Sequence, residues 1–316
     1  MSNSENTRSL SKGRRLQLKI ADFVIEARCV DPDTALLASP VDECFLVKDE
    51  KPDCVINVHF GSFPDLALGQ PIFDSSGPWR LYRDGEKLVF QLLASRQDQI
   101  FTSVMAIFEP EFKRGELYIR SWAELPVPNT IPPKQEKMQL DPFQAPLDEL
   151  LIVNLLALNS GFHIHALGIV NEGLGLVFSG VSGAGKSTLA EMWKKRPVRI
   201  LSDDRISIRK KDGKIWAYGT PWHGDARISL PEKAPLKAIY FIVHGKENRI
   251  LPLGAGDAAI RLLVRSFSTY YLKQVMESSL NFVEELTEKI PCFEFQFTPD
   301  ERAIDTILSY VKSHKL

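Results

Sequence analysis

The stretch LVFSGVSGAGKSTLAEMW, residues 176–193, joins an apolar run to a segment with helical spacing through a loop rich in glycine. The loop fits the pattern G-x-x-x-x-G-K-[ST], in which the glycines let successive backbone N–H groups point inward at phosphate oxygens. LGLVFS before the loop predicts a strand, and STLAEMWKK after it predicts a helix. This order suits phosphate binding, because the helix amino terminus adds a partial positive charge.

The loop therefore predicts a nucleotide site. In such a loop the lysine, here Lys186, reaches the β- and γ-phosphates, and the hydroxyl of Ser187 binds Mg²⁺. We expect the nucleotide to be bound by Gly180, Val181, Ser182, Gly183, Ala184, Gly185, Lys186, Ser187 and Thr188. GTPases, transporter ATPases and kinases share this loop, so the surrounding acids have to indicate the reaction.

In the second half of the chain one strand-like run, VRILSDD at 198–204, ends in carboxylates. It begins eleven residues after Ser187, so the intervening helix is short and we expect this strand to lie beside the strand that leads into the loop. Asp203 and Asp204 would then be within reach of the γ-phosphate. Two adjacent carboxylates titrate as a coupled pair, and either one could act as the base.

A histidine is expected at the same place. HIHALGIV and LGLVFSG predict a hairpin around NEG (171–173), which would put His165, fifteen residues before Gly180, at the end where the loop begins. His163 has the same side-chain parity and is the less favoured choice.

A second loop carries polar groups close together. KKDGKIWAYGTPWHGDAR, residues 210–227, predicts a hairpin at Asp212-Gly213 and then a loop rich in glycine and proline. This loop could bind an acceptor or close over the phosphates, or it could be a rigid turn around a packed tryptophan. The candidates for acceptor or phosphate contact are Arg205, His223, Asp225 and Arg227.

The pattern of the chain predicts two domains. Residues 1–16 are expected to be a flexible lead-in, and residues 17–125 a β-rich domain, in which Asp84-Gly85 predicts a hairpin. The stretch 126–145 is rich in proline and predicts a linker. Residues 146–316 then predict an α/β catalytic domain, so the chain is α+β overall.

Composition limits the partners and the compartment. The 316 residues include 39 basic and 40 acidic ones, for a net charge of −1, so neither nucleic acid nor an anionic membrane is expected as a partner. The run LLIVNLLAL at 150–158 is too short to cross a bilayer and predicts a buried helix. Four cysteines without paired spacing predict free thiols and a cytoplasmic protein.

HIHALGIVNEGLGLVFSGVSGAGKST (163–188) followed by ILSDDRISIRKKDG (200–213) resembles the catalytic domain of HPr kinase/phosphorylase and its relatives. The resemblance covers roughly residues 147–225 and implies a phosphoenolpyruvate carboxykinase-like P-loop fold, a mixed sheet flanked by helices. It implies an ATP-dependent kinase in which Ser187 and an acid, Asp203, bind Mg²⁺. Asp203 or Asp204 would accept the proton of the acceptor hydroxyl, assisted by His165.

The chain departs from the HPr enzymes after the acidic pair. They carry a signature rich in Glu-x-Arg-Gly, whereas this chain has YGTPWHGDARIS at 218–229, so neither phosphorylase activity nor HPr as substrate is carried over. The chain looks closer to a less characterised branch that shares GTPWHG and a β-rich region containing WRLYRDG. Members of that branch are often found near genes for modified peptides, and some resemble serine kinases that act on peptides.

We therefore expect phosphoryl transfer from Mg·ATP to a hydroxyl, in a serine of a peptide or protein. A nucleotide sensor with little catalysis and a small-molecule kinase are the alternatives. The sequence does not name the acceptor, the preferred nucleotide or the role of the first domain, and a homo-oligomer is compatible with it.

Overall fold

A computed structural model describes residues 12–96, 98–121, 139–267, 269–300 and 302–314. The chain divides into two units, Met1–Ile152 and Val153–Leu316, and the division falls within the first described helix, α1 (Leu147–Leu158). Residues 1–11 of the expected lead-in and residues 126–138 of the expected linker lie outside the described residues. The described part is mixed α and β.

The first unit is built of strands. They are β1 (Lys12–Gly13), β2 (Arg15–Ile20), β3 (Phe23–Cys29), β4 (Ala35–Leu37), β5 (Leu46–Val47), β6 (Cys54–Phe60), β7 (Phe73–Asp74), β8 (Trp79–Asp84), β9 (Lys87–Arg96), β10 (Gln99–Phe108), β11 (Arg114–Ile119) and β12 (Gln139–Leu140). Nine form one sheet in the order β5-β2-β3-β6-β11-β10-β9-β8-β7, and β1, β4 and β12 form a second sheet. Lys12 and Gly13 are thus already part of a strand, inside the stretch expected to be a lead-in.

In the first unit, the alternating pattern of β6 and the turn at Asp84-Gly85 form the strand and the hairpin that their sequences predict. In β6, Cys54, Ile56 and Val58 are buried and alternate with more exposed residues, because successive side chains of a strand point to opposite faces. The hairpin predicted at Asp84-Gly85 forms between β8 and β9, and Gly85 there has a φ of 58°.

The second unit combines a sheet with helices. After α1 its elements are β13 (Gly161–Asn171), β14 (Leu174–Ser179), α2 (Lys186–Trp193), β15 (Arg199–Ser202), β16 (Arg205–Lys211), β17 (Lys214–Tyr218), β18 (Lys233–His244), β19 (Arg249–Pro252), α3 (Ala255–Val264), α4 (Lys273–Lys289), β20 (Cys292–Phe297) and α5 (Arg302–Ser313). The hairpins predicted at NEG and at Asp212-Gly213 both form, joining β13 to β14 and β16 to β17.

Strand β13 changes partners halfway along its length. Its first half, from Gly161 to His165, pairs with β16, and from Ala166 onward it pairs with β14. Strand β15 pairs with β13 and has no pairing with β14, so the expectation that it lies beside the loop strand is wrong. The place next to β14 is occupied by β18, which runs parallel to it.

Helices cover both faces of this sheet. Val177 of β14 belongs to a core shared with Leu262 of α3 and Phe282 of α4. Its neighbours Leu176 and Phe178 point the other way, into a core shared with α2 and α5. A strand that is buried on both faces reads as a continuous apolar run, which explains the LGLVFS pattern.

Other expectations concern membranes and cysteines. None of the described helices is long and apolar enough to cross a membrane. All four cysteines are free thiols, as predicted: Cys29, Cys54 and Cys292 are buried and Cys44 is exposed.

Candidate active site

The glycine loop, residues 180–185, lies between the end of β14 and the first residue of α2. Gly183 and Gly185 have φ values of 79° and 103°, which side chains rarely tolerate. A Cβ on Gly185 would also lie 2.8 Å from the ring of Phe297. The loop therefore curls tightly, and the amino terminus of α2 follows it directly.

Lys186 is buried and lies across this loop. Its Nζ donates hydrogen bonds to the carbonyl oxygens of Gly180 and Val181, at 2.8 and 3.3 Å. Burial lowers the pKa of Lys186, although the nearby carboxylate of Asp204 acts in the opposite direction. A buried ammonium held only by carbonyl oxygens is poised to exchange them for an anion.

The loop forms one side of a cavity of about 440 Å³. Its lining consists of His165, Ser182, Gly183, Gly185, Lys186, Ser187, Thr188, Asp203, Asp204, Gly224 and Asp225. Residues from four separate parts of the chain thus meet here, and they include the predicted histidine, glycine loop and acidic pair. The other candidates, Gly180, Val181, Ala184, Arg205, His223 and Arg227, do not line this cavity.

A larger cavity, of about 580 Å³, lies in the first unit and is lined in part by Arg28, Asn57, Lys87 and Glu116. Glu116 is already engaged there by Asn57 and His59, at 2.9 and 2.6 Å. We place the candidate active site at the smaller cavity, because that one contains the glycine loop and the acids.

Asp203 is buried and holds the second loop in place. Its Oδ1 accepts hydrogen bonds from the backbone N–H groups of Gly224 and Ile228, at 3.0 and 3.2 Å, and Oδ2 accepts one from Ala226 at 2.8 Å. Three backbone donors on one carboxylate fix its position.

Asp204 faces the histidine of β13. Its Oδ1 lies 3.0 Å from Nδ1 of His165, and its Oδ2 accepts a hydrogen bond from Nε of Arg205 at 2.8 Å. Burial alone would raise the pKa of Asp204, but the contacts with His165 and Arg205 outweigh burial and hold it well below its usual range. Asp204 is therefore ionised at neutral pH.

The two histidines of β13 differ in surroundings. His163 is buried, with Nδ1 at 3.0 Å from the hydroxyl of Ser207 and its ring edge against Trp222. His165 keeps 29% of its side chain exposed and lines the cavity. This agrees with the choice of His165 over His163.

The second loop packs partly as a rigid turn. Trp222 contacts the ring of His163, its carbonyl accepts a hydrogen bond from Ser202 at 3.0 Å, and a Cβ on Gly219 would lie 2.0 Å from the carbonyl oxygen of Leu230. Asp225 of this loop is exposed and lines the cavity. The rigid-turn interpretation thus holds for Trp222 and Gly219, whereas contact of Asp225 with an acceptor or phosphate stays a prediction.

Comparison with known proteins identifies a family. A family model described as "SynChlorMet cassette protein ScmC" matches residues 135–299, which is 165 of the 316 residues. The chain belongs to the ScmC family. The match includes the whole glycine loop, the acidic pair and the second loop of this ScmC family member.

Solved structures include a distant likeness. The Hpr(Ser) kinase/phosphatase from Coxiella burnetii is 12% identical over 48% of this chain and 97% of that chain, with a TM-score of 0.31. None of the curated proteins matches.

The site of this ScmC family member also includes residues that sequence reasoning did not select. Nε2 of His244, at the end of β18, lies 3.0 Å from the carbonyl oxygen of Gly183, so it contacts the glycine loop. Arg265, just after α3, receives at its carbonyl a hydrogen bond from the N–H of His165, at 3.0 Å. The sequence marks Arg265 only as an arginine at the end of an apolar helix. Its hydrogen-bond partner His165 lies 100 residues away in the sequence.

Proposed function

We propose that this protein is a Mg·ATP-dependent kinase that transfers the γ-phosphate to a hydroxyl, in a serine of a peptide or protein. One observation carries the proposal: Lys186 and the pair of Asp204 with His165 border the same cavity. A phosphate-binding loop facing an oriented carboxylate provides the two sides that phosphoryl transfer needs. The second unit would then be an HPr-kinase-like P-loop domain.

The donor side is assigned to the loop. Backbone N–H groups, the amino terminus of α2 and Lys186 would bind the phosphates. The residues present also fit Mg²⁺, because the cavity offers hydroxyl and carboxylate oxygens, which this ion prefers. Ser187 and Asp203 would hold the ion, since Oδ2 of Asp203 accepts one hydrogen bond in the described residues and retains a lone pair. Bound Mg²⁺ would neutralise charge on the phosphate oxygens.

The acceptor side is assigned to Asp204. Asp203 is committed to three backbone N–H groups, whereas Asp204 is oriented toward the cavity by a histidine. We therefore propose Asp204 as the group that accepts the hydroxyl proton, with His165 as its positioning residue. Its lowered pKa is compatible with this role, because the transition state is loose and the proton moves late.

The test combines [γ-³²P]ATP with a library of serine-containing peptides and compares wild type with D204N. We expect D204N to lower transfer by about 10²–10⁴-fold, as removal of a catalytic base does, while leaving nucleotide binding near wild type. The matched control is D212N in the turn between β16 and β17, where asparagine also tolerates the observed φ of 52°.

The other outcomes separate the alternatives. ATP binding without transfer to any peptide or to free serine would contradict the kinase and support a nucleotide sensor. Phosphorylation of free serine as efficiently as the peptides would identify a small-molecule kinase. Full transfer by D204N would show that the base is assigned to the wrong carboxylate.

A further inference from the structure

Asp225 is the one carboxylate of the cavity lining that lacks a partner among the described residues. The lining holds three carboxylates, those of Asp203, Asp204 and Asp225. Three backbone N–H groups donate to Asp203, and His165 and Arg205 contact Asp204. Asp225 is exposed, and within the described ranges it forms neither a hydrogen bond nor an ion pair. Its carboxylate is therefore available to a ligand of the cavity.

The backbone of Asp225 is fixed on both sides. The N–H groups of its chain neighbours, Gly224 and Ala226, both donate to the carboxylate of Asp203, at 3.0 and 2.8 Å. One residue further on, the N–H of Arg227 donates to the carbonyl oxygen of Gly224 at 3.1 Å. A charge carried on a fixed backbone loses less conformational freedom when it binds a ligand. Asp225 is thus pre-positioned at the cavity.

The second loop approaches the acidic pair most closely at Gly224. A Cβ on Gly224 would lie 3.0 Å from Oδ2 of Asp203 and 3.3 Å from Cβ of Asp204, so a larger residue would be crowded here. Consecutive Cα atoms are about 3.8 Å apart, so Asp225 lies within one residue of this contact. Asp204 is the proposed acceptor of the hydroxyl proton. A group bound by Asp225 would therefore lie close to the hydroxyl that reacts.

The cations near this loop are engaged elsewhere. Nζ of Lys194 lies 3.5 Å from the carbonyl oxygen of Ala226, but it is paired with Glu191 at 2.6 Å. Arg205 is paired with the proposed base at 2.8 Å. The counter-charge of Asp225 therefore has to come from a ligand.

The sign of this charge distinguishes between the two partners expected for the loop, an acceptor and the phosphates. The nucleotide brings phosphate oxygens, which a carboxylate repels, and Lys186 is the cation of the cavity lining that suits them. Mg²⁺ has its own proposed ligands, Ser187 and Asp203. The charge of Asp225 therefore fits a positive group on the acceptor.

We propose that Asp225 binds a cationic group of the acceptor, an ammonium or a guanidinium close to the phosphorylated hydroxyl. This inference rests on the proposed function and narrows its substrates to hydroxyls with a basic neighbour. A guanidinium can pair with a carboxylate through two hydrogen bonds, which also orient the acceptor, whereas an ammonium pairs as a point charge. An acidic neighbour is repelled by the same carboxylate, so Asp225 determines specificity in both directions.

The test measures kcat/KM with Mg·ATP on the full chain, for the best serine peptide of the library described above. Arginine, glutamine or glutamate is placed in turn at each position flanking the serine, in peptides with free and with acetylated amino termini. In wild type we expect arginine to exceed glutamine by about five-fold at one or more of these positions, the upper range for an exposed ion pair. Glutamate should fall below glutamine.

Two variants change the charge at Asp225. D225N should bring the arginine and glutamate peptides to the glutamine value, while the glutamine peptide and the Kd for Mg·ADP stay within about two-fold of wild type. D225K should reverse the order, so that glutamate exceeds arginine. E277K makes a like change of charge on α4, outside the cavity lining, and should keep the wild-type order.

The peptides also identify the cation. A preference for arginine that D225N abolishes supports the inference with a basic side chain beside the serine. A preference for a free over an acetylated amino terminus that D225N abolishes supports it with the α-ammonium.

The remaining outcomes contradict the inference. The same order of peptides in wild type, D225N and D225K overturns it and leaves the kinase intact. An equal loss for all peptides in D225N assigns Asp225 a structural role, and a higher Mg²⁺ requirement assigns it to the metal; both overturn the inference. A wild type that phosphorylates no peptide overturns the proposed function and the inference together.

Discussion

Asp203 and Asp204 are adjacent in the chain, yet their carboxylates have different partners. Asp203 is bound by backbone N–H groups of the second loop, and Asp204 by the side chains of His165 and Arg205. Backbone donors cannot change rotamer, so Asp203 serves as a fixed anchor. At the level of single residues the surroundings thus divide two roles between identical side chains.

Replacing the anchor should loosen the second loop. In D203N an NH₂ group replaces one acceptor oxygen, so at least one backbone N–H loses its partner, at a cost of about 1–3 kcal/mol. We expect faster hydrogen exchange at the amides of Gly224, Ala226 and Ile228. D225N changes an exposed carboxylate of the same loop and is the control. Equal exchange in the two variants would contradict the anchoring role.

A buried carboxyl of the first unit predicts a pH-dependent stability. Burial, together with the charges of Asp148 and Asp141, raises the pKa of Asp42 to about 8. Between pH about 4 and 8 the folded protein keeps a proton that the unfolded chain has released. The contribution of Asp42 to the free energy of unfolding is therefore present at low pH and is lost as pH rises to 8.

D42N should remove this dependence, because asparagine resembles the neutral carboxyl and does not titrate. Urea unfolding at pH 4 and at pH 8 should show a smaller loss of stability in D42N than in wild type. D33N, at an exposed position, should behave like wild type. An unchanged loss in D42N would mean that Asp42 ionises freely in the folded state.

At the scale of single elements, the glycine loop contains two glycines in left-handed conformations, Gly183 and Gly185, and only one of them is crowded by a neighbouring side chain. Gly183 and Gly185 both have positive φ, but a Cβ on Gly183 meets nothing within 4 Å, whereas one on Gly185 meets Phe297. G183A should therefore cost about 1–2 kcal/mol from the backbone alone, while G185A adds a steric clash. We expect a larger loss of ATP affinity in G185A, measured by titration of both variants. Equal losses would mean that Phe297 moves aside freely.

For the whole molecule, sequence reasoning succeeded where the signal is local. The turns at Asp84-Gly85, NEG and Asp212-Gly213 form because their residues accept positive φ, and the glycine loop lies between a strand and a helix because the apolar period changes there. These local features suffice to predict that His165 lies beside the loop.

Prediction from the sequence was wrong where segments distant in the chain pair with each other. Strand β15 lies beside β13, and β18 takes the place expected for it next to β14, because packing on both faces of the sheet sets strand order. The attachment of Arg265 to β13 is likewise non-local. No spacing in the sequence marks such pairings, so the residues that they bring to the site stay hidden until the fold is known.

The change of partners along β13 has a consequence for how such a protein can evolve. That one strand holds the glycine-loop strand, the acidic pair and the segment of Arg265 in register, whereas the loop at 222–228 is attached to the acids through Asp203. Substitutions in that loop outside its anchored amides can alter what approaches the cavity without moving the glycine loop or the acidic pair. Under the proposed function, a lineage could therefore exchange one acceptor for another and keep the same phosphoryl transfer.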